Sequence, residues 1–202
     1  MPLLAGRRLA FRLTAGTAVA LLAAPAFAAS PAADLVSATV AEGFAIMKSP
    51  NSPQRQAAIK QILMTRFDLP FMAQTALGKY WDGASADQKQ RFVKATEDSE
   101  AKTYNERFGQ YSGLELKVIK TTDRPNGVQA VDTRIIQQNG SQPLKLEWEV
   151  RQTGQGLRIT DVKVEGVSMV MTRRSDFNSY IQQNGGKVDA LIEALEAKAK
   201  GP

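Results

Sequence analysis

The chemistry open to this sequence is narrow, because its 202 residues include no histidine and no cysteine. These two residue types supply the commonest general base, the thiol nucleophile and the best zinc ligands. The sequence also lacks a G-x-S-x-G motif, a glycine-rich phosphate loop and an acidic cluster with calcium-loop spacing. We therefore expect no catalytic residues, no metal site and no cofactor.

Two carboxylates could still do acid–base chemistry, since Asp68 and Asp161 interrupt otherwise apolar stretches. A carboxylate in an apolar pocket can act as a base, as it does in small isomerases of similar shape. The alternative is structural: Asp68 bonds the free N–H groups at a helix start, and Asp161 faces water or a turn. Such local bonds are common, so we favour the structural interpretation. The enzyme hypothesis requires a buried carboxylate that faces a cavity.

Apolar side chains in the second half of the chain recur at every other residue, which is typical of strands with one apolar and one wet face. Strands are predicted over residues 114–120, 128–137, 144–151 and 157–164. The apolar face would include Leu144, Leu146, Trp148, Val150, Leu157, Ile159, Val162 and Val164. Alternation does not say whether this face packs solidly or lines a cavity, and close packing is the commoner case.

Helical spacing is found on both sides of these strands. Predicted helices cover residues 35–47, 53–67, 70–77, 85–111, 167–183 and 188–199. Ser85 and Gln88 form a capping box at the start of the long fourth helix. The sequence therefore predicts an α+β fold in which a curved antiparallel sheet of about four strands is covered by helices. Cone-like domains of this kind often enclose an apolar cavity between sheet and helices.

The first 28 residues have the pattern of a cleaved signal peptide, with a basic start, an apolar run and an A-x-A site. The three parts are Arg7, Arg8 and Arg12, then Leu13–Ala24, then Ala26-Phe27-Ala28. The apolar run is shorter than the roughly 20 residues of a membrane span, so an uncleaved anchor is the weaker alternative. We expect export and a single domain over residues 29–202.

Removal of the signal peptide changes the charge of the chain. Lys and Arg fall from 26 to 23 while Asp and Glu stay at 20, so the net charge falls from +6 to +3. The mature chain has no basic stripe with interleaved aromatic residues, and nucleic acid is therefore not an expected partner. Without cysteine, an exported domain must be stabilised by packing alone.

Two sets of motifs, one in each half of the chain, point to a known family. The first comprises Phe67-Asp68, Ala76-Leu77-Gly78-x-x-Trp81, Gln88-x-x-x-Phe92 and Tyr104. The second comprises Asp161-Val162-x-Val164-Glu165-Gly166-Val167-Ser168-Met169, Arg174-x-x-Phe177, Gly186 and Leu191-x-x-x-Leu195. Together they span roughly residues 35–196 and resemble the MlaC/toluene-tolerance family. The run from Asp161 to Met169 is the most specific piece.

The resemblance implies a periplasmic carrier, not an enzyme, that shuttles glycerophospholipid between the outer and inner membranes. Its implied partners are an outer-membrane Mla lipoprotein/porin complex and an inner-membrane Mla ABC transporter complex. The implied role is to keep phospholipid out of the outer leaflet. A paired arginine like Arg173-Arg174 also occurs in a hopanoid-associated branch of the superfamily. The run Gly166-Val167-Ser168, by contrast, is more like the phospholipid branch. A hopanoid carrier, a small isomerase and an adaptor with a solid core remain alternatives.

Face periodicity and the resemblance together predict the site. The predicted cavity walls are Tyr104, Phe108, Trp148, Val150, Ile159, Val162, Val164, Val167 and Met169. Adaptable methionines such as Met169 suit tails of varying shape, although they could equally pack a helix on to the sheet. Arg173 and Arg174 could pair with a head-group phosphate. The alternative for these two arginines is a solvated helix face or a docking contact.

Overall fold

The computed structural model describes residues 30–107, 114–137 and 140–201. The predicted signal peptide and Phe108 lie outside the described residues. In chain order the elements are helices α1 (Pro31–Met47), α2 (Pro53–Arg66), α3 (Leu69–Leu77) and α4 (Ala86–Arg107), strands β1 (Leu114–Arg124), β2 (Val128–Gln137), β3 (Leu144–Thr153), β4 (Gly156–Val164) and β5 (Val167–Ser168), and helices α5 (Met169–Gln183) and α6 (Val188–Lys200).

Helix starts follow from polar caps in the sequence. Ser30, Ser52 and Ser168 each accept a hydrogen bond from a backbone N–H in the first turn, at 3.0 to 3.1 Å. The predicted capping box is confirmed, because Ser85 and Gln88 bond each other's backbone N–H groups at 3.1 and 2.9 Å. These bonds satisfy N–H groups that have no partner within the helix.

The strands form one antiparallel sheet in the order β1-β2-β3-β4-β5. The predicted α+β class with an antiparallel sheet is confirmed, and β5 adds a short edge strand to the predicted four. It forms because Glu165 and Gly166 adopt φ angles of 49° and 85°, which turn the chain back along β4. Extra residues Ile119 in β1 and Thr160 in β4 create bulges that bend the sheet.

The two faces of the sheet differ in chemistry. The apolar face carries Val131, Trp148, Val150 and Ile159 and is covered by α1. The charged face carries an ionic lattice in which Glu147 bonds Arg124 at 2.5 Å and Lys163 at 2.9 Å, and Lys163 also bonds Glu149 at 2.7 Å. Burial would raise the pKa of Glu147, but its bonds to Lys163 and Arg124 outweigh burial and lower that pKa.

Three hydrophobic clusters are found among the described residues. The sheet cluster comprises Ala32, Ala33, Val36, Val40, Val131, Ile135, Trp148, Val150 and Ile159. The helical cluster comprises Ala73, Ala76, Leu77, Ala84, Phe92, Ala95, Val170, Phe177, Ile181, Leu191, Ile192 and Leu195. The linking cluster comprises Ile59, Leu63 and Ala101 between α2 and α4. Phe67 packs against both the sheet cluster and the linking cluster.

The division of the core sets α1 apart from the other helices. A domain of this size usually has one contiguous core. Here α1 buries most of its apolar side chains in the sheet cluster and packs Ile46 against the linking cluster, while the helical cluster draws on α3 to α6 and contains no residue of α1 or α2. In the described ranges no helix is both long and apolar enough to span a membrane.

Candidate functional site

The apolar face of the sheet brings together a group of the predicted wall residues. Val150 lies opposite Ile159 across β3 and β4, and both are fully buried. Trp148 lies between Val131 and Val162 and is 8% exposed. Val164 continues the same face of β4. Strict alternation on either side of one bulge places these side chains towards α1.

The polar atom of Trp148 is satisfied inside this apolar region. Its indole N–H donates to the hydroxyl oxygen of Thr133 at 3.0 Å, and Thr133 is itself fully buried. The Thr133 hydroxyl donates to the carbonyl of Leu146 at 3.4 Å. Because the donor is paired locally, the remaining surface of the indole presents only apolar atoms to its neighbours.

Burial of the apolar face decreases towards one end of the sheet. In β3, Val150 and Trp148 are buried and Leu146 is half-buried, and in β1, Leu116 is half-buried and Val118 is 40% exposed. Leu144, one row further along, is 36% exposed. Thr133 and Ile135 of β2 stay buried in the same rows. We call the end that carries Leu116, Val118, Leu144 and Leu146 the open end. An apolar surface therefore runs from the buried interior to solvent.

Helix α1 supplies wall residues that the sequence-based prediction missed. Ala32 and Val36 are fully buried against the sheet, and Phe44 packs against the same cluster. The helical spacing of Val36, Val40 and Phe44 was visible in the sequence. That spacing predicts a buried face but does not say which partner the face meets.

The structure assigns Tyr104 to a different layer from the one predicted. Tyr104 packs against the linking cluster between α2 and α4, not against the sheet cluster. Burial, with a smaller contribution from the charge of Glu100, raises the pKa of Tyr104 to about 12. The long helix α4 packs against the helical cluster through Phe92 and belongs to the linking cluster through Ala101. The apolar side of this one helix therefore contacts two different clusters. Phe108 lies outside the described residues.

Two other predicted wall residues lie beyond β4. The prediction that Val167 forms part of the cavity wall is wrong, because this side chain is 57% exposed in β5. A helix was predicted to start at Val167, but the turn at Glu165 and Gly166 places this residue in β5. Met169 is half-buried in the first turn of α5.

The two candidate head-group arginines have different surroundings. Arg173 forms a two-pronged pair with Glu100, with distances of 2.7 and 3.1 Å. Burial would lower the pKa of Arg173, but the bonds and charge of Glu100 outweigh burial and raise it. Arg174 packs against the backbone of Gly78, where a Cβ would lie 2.7 Å from the Arg174 Nε. No carboxylate in the described ranges pairs with Arg174.

Both candidate acid–base residues have structural roles. Asp68 caps α3, since its carboxylate accepts from the N–H of Phe71 at 3.1 Å. Asp161 was predicted to face water or a turn, but the structure buries it. Its carboxylate accepts from Val162 at 2.8 Å and from Val170, in the first turn of α5, at 3.2 Å. Asp161 pairs with Glu149 in register, on the charged face of the sheet. Within the described ranges no group of acidic side chains could hold a metal ion.

A shallow groove of about 550 Å³ lies on the far side of α2 from the sheet cluster. Its lining includes Lys60, Met64, Trp81, Lys89 and Val93. The Lys89 ammonium lies 5.5 Å from the centre of the Trp81 ring, and Lys60 pairs with Asp98 at 2.6 Å. Lys60, Lys89 and Trp81 thus have partners within the protein itself, and this groove shares no residue with the predicted walls.

Fold and site together define a class: an α+β domain with an apolar, sheet-lined interior that is covered by one separate helix and exposed at one end. A sequence profile of the MlaC protein family matches residues 37–197. The chain belongs to the MlaC family.

Two named proteins are similar to this chain, one in sequence and one in structure. Over 147 residues the chain is 24% identical to the intermembrane phospholipid transport system binding protein MlaC of Haemophilus influenzae, an alignment that covers 71% of this chain and 68% of that protein. A solved structure of the phospholipid-binding protein from Ralstonia solanacearum, in complex with a phospholipid, superposes with a TM-score of 0.69 at 18% identity. That superposition covers 85% of this chain and 98% of the other, and it shows a shared fold.

Proposed function

We propose that the protein binds one glycerophospholipid and carries it through the periplasm between the inner and outer membranes, without catalysing a reaction. The observation that carries this proposal is the continuous apolar surface from Val150 and Trp148 to the open end. Membership of the MlaC family supports it, as do the names of both relatives, which are described as phospholipid-binding or phospholipid-transport proteins.

The energetics of lipid transfer require such an interior. Two acyl chains contain about 30 methylenes, and at about 0.8 kcal/mol each their exposure to water would cost on the order of 25 kcal/mol. A carrier must therefore surround the tails with a surface as apolar as the bilayer. The valine, isoleucine and tryptophan side chains of the apolar face meet this requirement without a metal or a catalytic pair.

The separation of α1 from the helical cluster provides a route for loading. In the described structure Ala32 and Val36 occupy the space next to the apolar face. Since no residue of α1 belongs to the helical cluster, a movement of α1 away from the sheet would leave that cluster packed and would break the contact of Ile46 with the linking cluster. Acyl chains that enter at the open end would then replace the contacts that α1 loses.

We further propose the wider setting of this activity. Residues 1–28 would direct export and then be cleaved. Docking would involve the Mla ABC transporter complex at the inner membrane and the Mla lipoprotein/porin complex at the outer membrane. Head-group binding by Arg173 or Arg174 stays a prediction. A phosphate at Arg173 must compete with Glu100, whereas Arg174 has no carboxylate partner within the described ranges.

Uptake of lipid from vesicles tests the proposal. The purified protein is incubated with vesicles that contain a trace of radiolabelled phosphatidylethanolamine, the vesicles are pelleted, and label that stays with the protein is counted. We expect saturable transfer that approaches one lipid per protein. Absence of label after prolonged incubation, with the protein delipidated beforehand and still folded, would contradict the proposal.

A further inference from the structure

Exposed apolar side chains concentrate at the open end of the sheet. Among the described residues the large exposed apolar side chains are Met64, Val118, Ile119, Leu144, Val167, Met171 and Tyr180. Leu144 is the first residue of β3 and lies in the row of Leu116, and Val118 and Ile119 lie in the middle of β1, while Val167 and Met171 follow the end of β4. Concentrated exposure of this kind marks an interaction surface.

A row of cations crosses the charged face of the sheet at the same end. Lys117, Arg134 and Lys145 are direct cross-strand partners on β1, β2 and β3. Like charges in this arrangement repel each other. Within the described ranges none of the three forms an ion pair. The nearby Glu165 carboxylate instead accepts from the backbone N–H of Lys145 at 2.6 Å.

The next row along the same face shows the usual solution to this repulsion. There Lys120, Asp132, Glu147 and Lys163 lie side by side, so that two acids are matched with two bases. Lys120 pairs with Asp132 at 3.4 Å, and Lys163 with Glu147 at 2.9 Å. The cationic row is therefore a local excess of positive charge, on the face of the sheet opposite the exposed Val118 and Leu144.

We propose that the open end docks on the surface of a phospholipid bilayer that contains anionic lipid. Aliphatic side chains such as Ile119, Val167 and Met171 would enter the interface between head groups and acyl chains. The row of Lys117, Arg134 and Lys145 would lie at the level of the phosphates, with long side chains that keep their charges at the polar layer. A bilayer matches this combination because it offers an apolar layer directly below a negative one.

This inference rests on the proposed function, since it places the membrane at the mouth of the apolar interior. The half-buried Leu116 and Leu146 connect the exposed side chains to the sheet cluster. Acyl chains could thus pass between bilayer and interior along a continuous apolar surface, and the large cost of exposing them to water would be avoided.

Flotation with vesicles tests the inference. The probes are vesicles of phosphatidylcholine and vesicles in which part of it is replaced by phosphatidylglycerol. We expect the full mature protein to float with the anionic vesicles and to be released by salt. The variant K117Q/R134Q/K145Q should lose about a hundredfold in partitioning, because each cation near an anionic surface contributes roughly fivefold.

Matched variants separate a local effect from a general one. K187Q/K198Q/K200Q removes the same charge from three exposed lysines, Lys187 just before α6 and Lys198 and Lys200 within it, and we expect less than a threefold loss. I119S/V167S should weaken flotation, whereas M64S/Y180S, which changes exposed apolar residues elsewhere, should not. Equal losses in the test and control variants, or no preference of the wild type for anionic vesicles, would overturn the inference.

Mass spectrometry of bound lipid on the same preparations distinguishes failure of the docking surface from failure of the proposed lipid carriage. A protein that carries phospholipid but ignores vesicles would disprove only the docking surface. Since docking could instead require a membrane protein partner, that result would point to such a partner. A protein that neither carries nor takes up phospholipid would remove the proposed function as well.

Discussion

Leu116 is the residue at which lipid binding and folding are most easily separated. It lies on the apolar face but is only half-buried, so a polar substitution there need not disrupt the packed rows around Val150. Trp148 is less suitable for such a test, because its N–H is bonded to Thr133 and its removal would leave a buried hydroxyl with a weaker set of partners.

We predict that Leu116→Asp lowers lipid uptake from vesicles at least tenfold, because an unpaired carboxylate would be placed against the acyl chains at a cost of several kcal/mol. Thr122→Asp is the matched control, since Thr122 is exposed on the opposite face of the same strand. Circular dichroism checks that both variants fold. Equal uptake by the two variants would show that the apolar face is not the wall of the site.

Arg55 illustrates a buried charge held by neutral groups. It is 4% exposed, and its Nε donates to the Asn105 side chain at 2.7 Å while one Nη donates to the carbonyl of Ser49 at 2.9 Å. Its other Nη donates to the backbone carbonyl of Asn105. Asn105 in turn donates to the side chain of Asn51 at 2.7 Å. This network joins the α1–α2 connection to the end of α4.

Asn105→Ala should lower the free energy of unfolding by about 3 kcal/mol, because it leaves a buried guanidinium with an unpaired N–H. Urea denaturation measures the change. Asn184→Ala, at the exposed end of α5, is the control and should cost less than about 1 kcal/mol. A similar small cost for both would mean that water replaces Asn105 at the guanidinium.

Individual site residues were predictable where a strand is regular. Trp148 and Val150 were placed correctly on one face, because alternation carries that information directly. Ile159 and Val162 are three residues apart and share this face only because the bulge at Thr160 shifts the register. Val167 was misplaced since the positive φ angles at Glu165 and Gly166 turn the chain, and Glu165 gives little warning of such an angle in sequence.

At the scale of elements, α1 is the piece that the account requires to move. Its contacts are with the sheet and with α2, and its start is tied to β1 by a 2.9 Å hydrogen bond between Ser30 and Thr121. Tyr104 shows why such pairings are not readable from sequence. Helical periodicity identifies the apolar side of α4, but the order in which helices stack decides whether that side meets the sheet.

The ionic lattice that joins β1, β3 and β4 predicts a dependence of stability on pH. The folded pKa of Glu147 lies below its ordinary value of 4.5, so its contribution is present above that pH and is lost as the pH falls through the lowered pKa. Glu147→Gln should therefore reduce the loss of stability on acidification, measured by urea midpoints at neutral and acidic pH. Glu115→Gln, exposed on β1, should leave that loss unchanged, and an identical effect of both substitutions would contradict the assignment.

At the scale of the whole molecule, the sequence predicts that residues 29–202 form the mature domain. Expression of the full chain in a Gram-negative host, followed by intact-mass measurement of the periplasmic fraction, should give a protein that begins at Ala29. Recovery of a membrane-bound species that retains Met1 would instead support an uncleaved anchor.

The fold class and the order of helices and strands could be predicted from the sequence, because the spacing of apolar residues changes clearly from helical to alternating and back along the chain. The division of the core into a sheet cluster and a helical cluster was not, since it depends on which buried faces meet. That division supports the proposal that α1 gives way to a ligand while the helical cluster stays packed. The proposed binding of phospholipid in the apolar interior therefore depends on tertiary packing.

The most direct test of that claim is native mass spectrometry of the protein purified from the periplasm without detergent, followed by extraction and lipid analysis. The account predicts a complex of one protein with one glycerophospholipid, which extraction would release. A lipid-free protein, or one that releases a hopanoid and no phospholipid, would contradict it.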